Sequence, residues 1–524
     1  MHEVLTIQLG QAANFVGTHF WNAQNEYFEY GDSAQEPEFD HDILYRAGVN
    51  QRGIETYTPR VMIYDLKGGF GSLKKYNKLF QDDSVAQQDT WGQKVETFRS
   101  PEYPKNQYQR QLDLMDEGME TEPDAEMNLD ESVHVWSDFN SNYFHPRSLN
   151  QINQYQMGNS LQPFDTYTAG YNAYDENEKE TDSFDETFRF FVEECDQLQG
   201  FQIMTSIDDG FGGFTRGFLE NVRDEYPKTS ILTFGISNSN SPASMRNSQK
   251  ISLNTSMAAA GISEYSSLYV PIHLPNASDI NQSWARHLTI NPSLPYHTSA
   301  ILATAIETAS VAWRMKKRST RLTDMISTIN WRGDSNIASL SICFPLDVGN
   351  GKQYKTVEQI MPKENGEFKL LKNLTIGKAK IENTVFGDST IIRGISEKGG
   401  RLNREACVDS IFDYLRTTNV PSNLRITANT GVPLPVSFPK ILSPEYVKHN
   451  ISADDPSQTY TPALSQLSTG TQFFSYFEQY QQRLKGLNYR LFSDYEEGDR
   501  GQSVEDFAEL KDWLIERADN FRPT

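Results

Sequence analysis

The chain has 524 residues and a formal net charge of −22, with 37% hydrophobic residues, 12% aromatics and a mean hydropathy of −0.60. That length divides into about three folding units with ample core material, which excludes a small stapled module. Asp and Glu number 70 against 48 Lys and Arg, so the mean field repels duplex nucleic acid, and direct nucleic-acid binding is not expected. Cys195, Cys343 and Cys407 lie far apart, which rules out a disulfide framework or a CxxC metal or redox motif and fits a reducing compartment. The best apolar run, Ser299 to Trp313, is interrupted by Glu307 and falls short of the ~18 to 20 apolar residues a membrane span needs. The opening MHEVLTIQLGQ matches neither a secretory signal nor a mitochondrial presequence, so any organelle association is expected to be peripheral or to follow another import route.

In chain order, Glu3 to Leu9 reads as a buried strand that turns at Gly10 into a helix over Gln11 to Tyr30. A loop then leads to a strand at Arg60 to Asp65. Between Asp113 and Glu131 stand nine acidic residues and no Lys or Arg, and residues 86–131 are expected to be an acidic disordered insertion, either a solvated loop or a docking tail for a basic partner. Ser183 with Glu186 predicts a capping box opening a helix whose face carries Phe184, Phe188, Phe191, Val192, Cys195 and Leu198, with Gly200 as its stop. Phe201 to Ile207 then reads as a strand, 208–213 as a glycine-containing turn, Phe214 to Tyr226 as a helix and Ile231 to Ile236 as a strand.

The Ser/Asn-rich stretch Ser237 to Ser256 predicts a long surface loop. Ala300 to Arg321 predicts a mostly buried helix whose basic carboxyl end, Arg314, Lys316, Lys317, Arg318 and Arg321, suits the helix dipole or, alternatively, an anionic lipid surface. Strands near Ser339 to Phe344 and Ile391 to Ile395 and helices near Asn403 to Arg416 and Ser503 to Arg517 make a second α+β layer. The expected fold class is therefore α/β, a doubly wound parallel sheet followed by an α+β region. Its units are 1–85 and 132–310 of one domain, the insertion at 86–131, and a carboxyl-terminal region at 311–524.

In such a sheet, ligands bind at the carboxyl ends of the strands, which is where Asp208-Asp209-Gly210-Phe211-Gly212-Gly213-Phe214 falls. A phosphate loop there would wrap backbone NH groups around an anion at the start of the next helix. Here two carboxylates open the turn and would repel phosphate oxygens, while Phe211 and Phe214 add bulk. The pattern meets neither GxGxxG nor GxxxxGK[ST]. The nine histidines form no HExxH motif, Ser, His and Asp define no triad, and no metal site is expected.

Gly10-Gln11-Ala12-Ala13-Asn14-Phe15-Val16-Gly17 with Phe20-Trp21 resembles the GQxxNQxG…FW opening of tubulins. Thr58-Pro59-Arg60 through Asp65-Leu66, Glu194 to Gln202 (ECDQLQGFQ) and Asp224-Glu225-Tyr226-Pro227 are similar to further tubulin segments in the same order, over about residues 1–310. The DDGFGGF in place of GGGTGSG, no counterpart of the acidic loop that triggers hydrolysis, Trp136-Ser137-Asp138-Phe139 and His145-Pro146-Arg147-Ser148 together resemble the Misato family of tubulin-related proteins.

That resemblance implies a role in partitioning mitochondria and inheriting mitochondrial DNA, at the mitochondrial periphery and in the cytoplasm, through protein partners such as cytoskeletal or chaperonin factors, without enzymatic activity. It also implies a vestigial nucleotide pocket at Gly10, Gln11, Asn14, Asp208, Asp209, Gly210, Gly212 and Gly213, with Ala169-Gly170-Tyr171-Asn172 as a further matching segment. No cofactor is expected. GTP is the ligand a tubulin scaffold would take, and the alternative functions are a GTP-binding, polymerising GTPase and an assembly adaptor that engages cytoskeletal or chaperonin factors through the acidic insertion. Each site residue also has a structural reading: the glycines let the chain turn, and Gln11 and Asn14 cap the helix that starts there.

Overall fold

The computed structural model describes residues 2–28, 36–49, 55–75, 77, 79, 103–119, 127–238, 245–280, 282–317, 320–349, 355, 357–360, 363, 364, 367, 368, 370–376, 384–395, 401–415, 420–450 and 460–523. Six segments pair as parallel strands, all largely buried except the mostly polar β3: β1 (Glu3–Leu9), β2 (Val61–Lys67), β3 (Leu149–Gln156), β4 (Leu198–Ser206), β5 (Ser230–Ser237) and β6 (Leu268–His273). They lie in the order β3-β2-β1-β4-β5-β6, all parallel. This is the doubly wound order, and it reverses direction between β1 and β4, so the crevice at the carboxyl ends of those two strands is the place for a site. Helices cover both faces, as a parallel sheet buried on each side requires: α1 (Gln11–Asn25) on one, and α3 (Tyr167–Thr181), α4 (Phe211–Glu225) and α5 (Met245–Tyr265) packed side by side on the other.

Helix α6 (Pro295–Arg314) runs through the centre of the molecule, with every residue from Tyr296 to Arg314 buried. A position between two layers buries every face of the helix, including its polar residues Glu307 and Arg314, which then need partners. It packs on α1 and on a second sheet of β7 (Ser339–Cys343), β8 (Lys372–Asn373), β9 (Val385–Arg393), β10 (Ser422–Ala428) and β11 (Ala463–Gly470), in the order β8-β7-β11-β9-β10. Helix α7 (Leu322–Ile329) bridges the two sheets, α8 (Arg401–Leu415) covers the second, and α9 (Gln472–Lys485) and α10 (Val504–Asn520) close the chain. No helix among the described residues is long and apolar enough to cross a membrane.

Several elements differ from the sequence expectation. The segment 86–131 is not uniformly irregular: α2 (Gln107–Asp116), capped by the Asn106 side chain, lies in it, with Tyr108 and Leu129 buried, while 86–102 and 120–126 lie outside the described residues. The Ser183 capping box does not form, because its hydroxyl donates to Glu178 Oε1 of the preceding helix at 2.5 Å. The chain instead makes a π turn (Phe184–Phe188) and a short helix (Arg189–Glu193). Leu198 and Gly200 then belong to β4, where Gly200 is no helix stop: it pairs with Val4 and Ser230, and a Cβ there would lie 2.6 Å from the Ser230 carbonyl.

The long loop read at 237–256 becomes α5 from Met245 onward, its Ser and Thr hydroxyls returning to carbonyls one turn back, as Thr255 does to Ile251 at 2.8 Å. Helix α6 stops at Arg314, so of the basic residues only Arg314 stands in its last turn. Arg314 is buried, and Lys316 and Lys317 pair with Glu36 at 3.6 and 2.9 Å. The boundary read at 310/311 is crossed as well, since the rings and aliphatic groups of α9 and α10 join the same apolar cluster as α3, α4 and α5.

Candidate functional site

At the carboxyl end of β1 the chain must reverse into α1, and it does so at Gly10 with φ +91°, a conformation that side chains rarely adopt. Helix α1 has no side-chain cap there. Gln11 and Asn14, expected as capping groups, reach sideways to the end of β2, where Asp65 Oδ2 accepts from Gln11 Nε2 at 2.7 Å, Asn14 Nδ2 at 2.9 Å and Trp136 Nε1 at 2.8 Å. The Leu66 NH binds the other oxygen at 2.8 Å. Burial nevertheless wins over these donors and pushes the Asp65 carboxyl up to about 6.

Across the crevice, β4 ends in Ile207-Asp208-Asp209-Gly210, and α4 begins at Phe211, so Gly212 and Gly213 stand in its first turn rather than in a loop. Both are needed for close packing. A Cβ on Gly213 would lie 1.9 Å from the Tyr167 carbonyl, and one on Gly212 would lie 2.9 Å from Ala258. Gly170, in the Ala169–Asn172 segment, packs directly on the Gly210 carbonyl. Asp209 Oδ1 accepts from the Phe211 NH at 2.9 Å, using one of the free donors at the start of α4, and Asp208 Oδ2 accepts from the Asn238 NH at 2.5 Å. Burial, and for Asp209 the neighbouring Asp208 and Asp65 charges, push the carboxyls up to about 6 and about 7 respectively.

The structure thus brings the eight predicted residues to one place, at the turns after β1 and β4 and in the first turns of the helices α1 and α4 that follow them. What lies between them is a ring. Phe211 is buried, its edge sits where a Cβ on Gly10 would be, at 2.6 Å, and it packs on Phe164 with centroids 4.9 Å apart. Phe164 in turn covers Gly210. A nucleotide phosphate requires bare backbone NH groups and no fixed negative charge in that volume. Here it would meet a phenyl ring and two carboxyls, so these residues do not fit GTP. Among the described residues, no group of three or more His, Cys, Asp or Glu side chains is arranged to hold a metal ion. A cavity of about 410 Å³ opens elsewhere, along the free edge of β3, between Leu149, Asn150, Asn153, Asn177 and Thr187.

The roles of two asparagines escaped the sequence reading. Asn254 of α5 donates to the Asp208 and Asp165 carbonyls at 2.7 and 2.8 Å and accepts from the Tyr167 NH at 2.9 Å and the Tyr495 hydroxyl at 2.6 Å. Asn172 holds the same carboxyl-terminal stretch, donating to the Glu497 carbonyl at 3.0 Å and accepting from the Arg500 NH at 2.9 Å. The turn at 208 is therefore clasped from outside by residues about 290 positions later in the sequence. No local motif signals that contact. For Asp65 a signal did exist, because an acid at the end of a strand next to the switch point is where a site residue is sought.

A family model described as Misato Segment II tubulin-like domain matches residues 2–114, and one described as Tubulin domain matches residues 125–315. Protein DML1 of Gibberella zeae is 39% identical over 346 residues, which are 65% of this chain and 67% of that protein. The chain belongs to the Misato family. Protein dml-1 of Neurospora crassa is 38% identical over 355 residues, 66% of this chain and 63% of that one, and Protein misato homolog 1 of Bos taurus is 33% identical over 375 residues, 66% and 65%. These matches span about two thirds of the relatives' own lengths. Within this Misato-family chain the tubulin-like matches carry both facing turns, so the fold read from the sequence and the ring-filled crevice belong to the same matched region.

Proposed function

We propose that this Misato-family protein is a non-enzymatic tubulin-like scaffold that takes no nucleotide and serves the partitioning of mitochondria and the inheritance of mitochondrial DNA through protein partners. It works at the mitochondrial periphery and in the cytoplasm. One observation supports the non-catalytic part above all: the Phe211 ring lies on Gly10 between the two turns where a tubulin-type phosphate site would be. Opening that volume would require the ring to leave a packed aromatic cluster, at a cost of about 3 kcal/mol or more. The mitochondrial part rests on family membership.

Two measurements test the reading separately. Titration of the purified chain with a fluorescent GTP analogue, with and without magnesium, is expected to give no saturable signal. Saturable binding with turnover would instead support a polymerising GTPase. Depletion of the protein in cells is expected to fragment or misplace mitochondria and lower mitochondrial DNA retention, and normal organelles after complete loss would sink the mitochondrial role.

A further inference from the structure

Helix α2 carries an apolar ridge that is exposed among the described residues. Its inner side is fixed: Tyr108 is buried, Leu112 packs on the core, and Gln109 donates to the Ser137 carbonyl at 2.9 Å and accepts from the Ser72 hydroxyl at 2.9 Å. At its carboxyl end the chain turns back through Gly118, φ +74°, and the Met119 NH reaches the Leu114 carbonyl at 3.0 Å. That six-residue closure gathers Leu114 and Met119 on one side of the helix end beside Met115. All three side chains face solvent, with exposures of 37% for Leu114, 60% for Met115 and 48% for Met119. A lone exposed apolar residue needs no explanation, but three brought together by a helix-ending motif form a patch.

Charge says what the patch suits. Asp113, Asp116 and Glu117 interleave with the ridge, and the helix end adds its own partial negative charge. The sequence from Asp113 to Glu131 adds six more acids and no base, in a chain already at −22. Lys105 neutralises Asp113 at 2.6 Å, Tyr143 donates to Asp116, and Arg110 sits a turn back toward the amino end. An anionic membrane would be repelled by this rim, and an acidic or neutral peptide would gain only the apolar contact. Methionines adapt their shape to the apolar face of a helix.

We infer that the Leu114, Met115 and Met119 ridge is a docking surface for a basic amphipathic helix of a partner protein, whose apolar stripe covers the ridge while its Lys and Arg residues face Asp116 and Glu117. This deepens the partner-based part of the function above and is independent of whether the crevice at Phe211 takes a nucleotide.

The test uses the full chain and a labelled synthetic Leu/Lys helix of about 18 residues, read by fluorescence anisotropy at ~0.15 M salt. Controls are a Leu/Glu helix and a Ser/Lys peptide of equal positive charge. Saturable binding of the Leu/Lys helix is expected, weakened about tenfold or more by the combined Leu114→Ser, Met115→Ser and Met119→Ser variant and about threefold by Asp116→Asn with Glu117→Gln. The three serine substitutions leave charge unchanged, and their sites are exposed, so retained far-ultraviolet circular dichroism certifies the fold. Equal binding by parent and triple variant would mean that mean charge alone attracts the peptide and would overturn the proposal, as would no saturable binding by the parent. Loss in the triple variant with the Ser/Lys peptide unaffected supports it. GTP binding by a chain whose ridge behaves as described would remove the non-nucleotide reading and leave this one standing.

Discussion

Two groups of buried charge sit at opposite ends of α1, and they are built by opposite rules. Beneath the second sheet, Glu307 of α6 accepts from Arg314 Nη2 and Tyr27 Oη, each at 2.7 Å, and from Arg393 Nη1 of β9. Arg393 also donates to the Thr430 and Gly431 carbonyls at 2.9 and 2.6 Å and to the Tyr27 hydroxyl at 2.7 Å, and Arg314 to the Ser310 hydroxyl at 2.8 Å, the Glu307 carbonyl at 3.1 Å and Gln24 Oε1. Burial alone would raise the Glu307 carboxyl, but the Arg393 and Arg314 charges outweigh it and hold the group below the ordinary carboxylate range. At the crevice, Asp65, Asp208 and Asp209 have no cation among their hydrogen-bond partners, and burial wins. Charge buried with a partner stays charged and locks three elements together. Charge buried without one moves toward its neutral form, and the free energy of that misfit is stored in the turn.

The largest expected effect comes from breaking the paired group. Glu307→Gln keeps the size and one carbonyl acceptor but leaves two buried guanidiniums without a counter-charge. The expected loss is about 3 to 5 kcal/mol of stability. Because α1, α6 and β9 meet at this carboxylate, the loss should appear in chemical denaturation as one early transition shared by both sheets. An unchanged denaturation midpoint would show that the two arginines are served by the carbonyls alone.

A smaller effect is expected at the clasp that stabilises the unpaired group. Asn254→Ala leaves the Tyr167 NH, the Tyr495 hydroxyl and two carbonyls without their shared partner, at about 2 to 3 kcal/mol in all once water has entered. Hydrogen exchange gives the sharper readout: amides of residues 493–502 and of the 208 turn should lose protection together, while β7, β9 and β11 keep theirs. Loss confined to α5 would mean that the carboxyl-terminal stretch is held by Asn172 and Arg500 without it.

The contrast also explains what could be read from the sequence. Four of the six strands of the first sheet, β1, β2, β4 and β5, were legible because a parallel strand buried on both faces is a short largely apolar run, as in Phe201 to Ile207 and Ile231 to Ile236, punctuated by glycine or proline, whereas β3 was missed because Asn and Gln fill it around Leu149 and Ile152, and β6 because Pro271 stands inside it. Gly10, Gln11, Asn14 and 208–213 were legible as one site because strand ends at a switch point converge. The roles were not. Gln11 and Asn14 face Asp65, 54 and 51 positions away in sequence, and local propensity reads only the helix they begin. The helix at 245–265 was hidden because its many Ser, Thr and Asn residues carry the composition of a loop, although Asn254, Ser256 and Ser263 are buried in it beside Leu253, Met257 and Ile262. The ion group at Glu307 was hidden for the same reason as the clasp: Arg393 is 86 residues distant, and Arg314 reads as a dipole partner until it is seen to be buried.

The smallest effect has the opposite sign and is the one that separates the two rules. Asp209→Asn keeps an oxygen to accept the Phe211 NH and removes only the charge. The parent carboxyl has its ordinary value near 3.8 when unfolded and about 7 when folded, raised by burial and then by Asp208. A group raised in this way contributes fully to stability below about pH 4 and loses that contribution as pH climbs through 7. The parent should therefore lose stability between about pH 4 and 7, and the asparagine variant should lose less. Its advantage should be near zero at pH 4 and reach about 1 to 2 kcal/mol by pH 8, after allowance for the solvent that still reaches the turn. Denaturation midpoints of both proteins across that range measure it directly. Parallel curves would mean that the charge on Asp209 is already compensated, and the turn would then follow the rule of Glu307 after all.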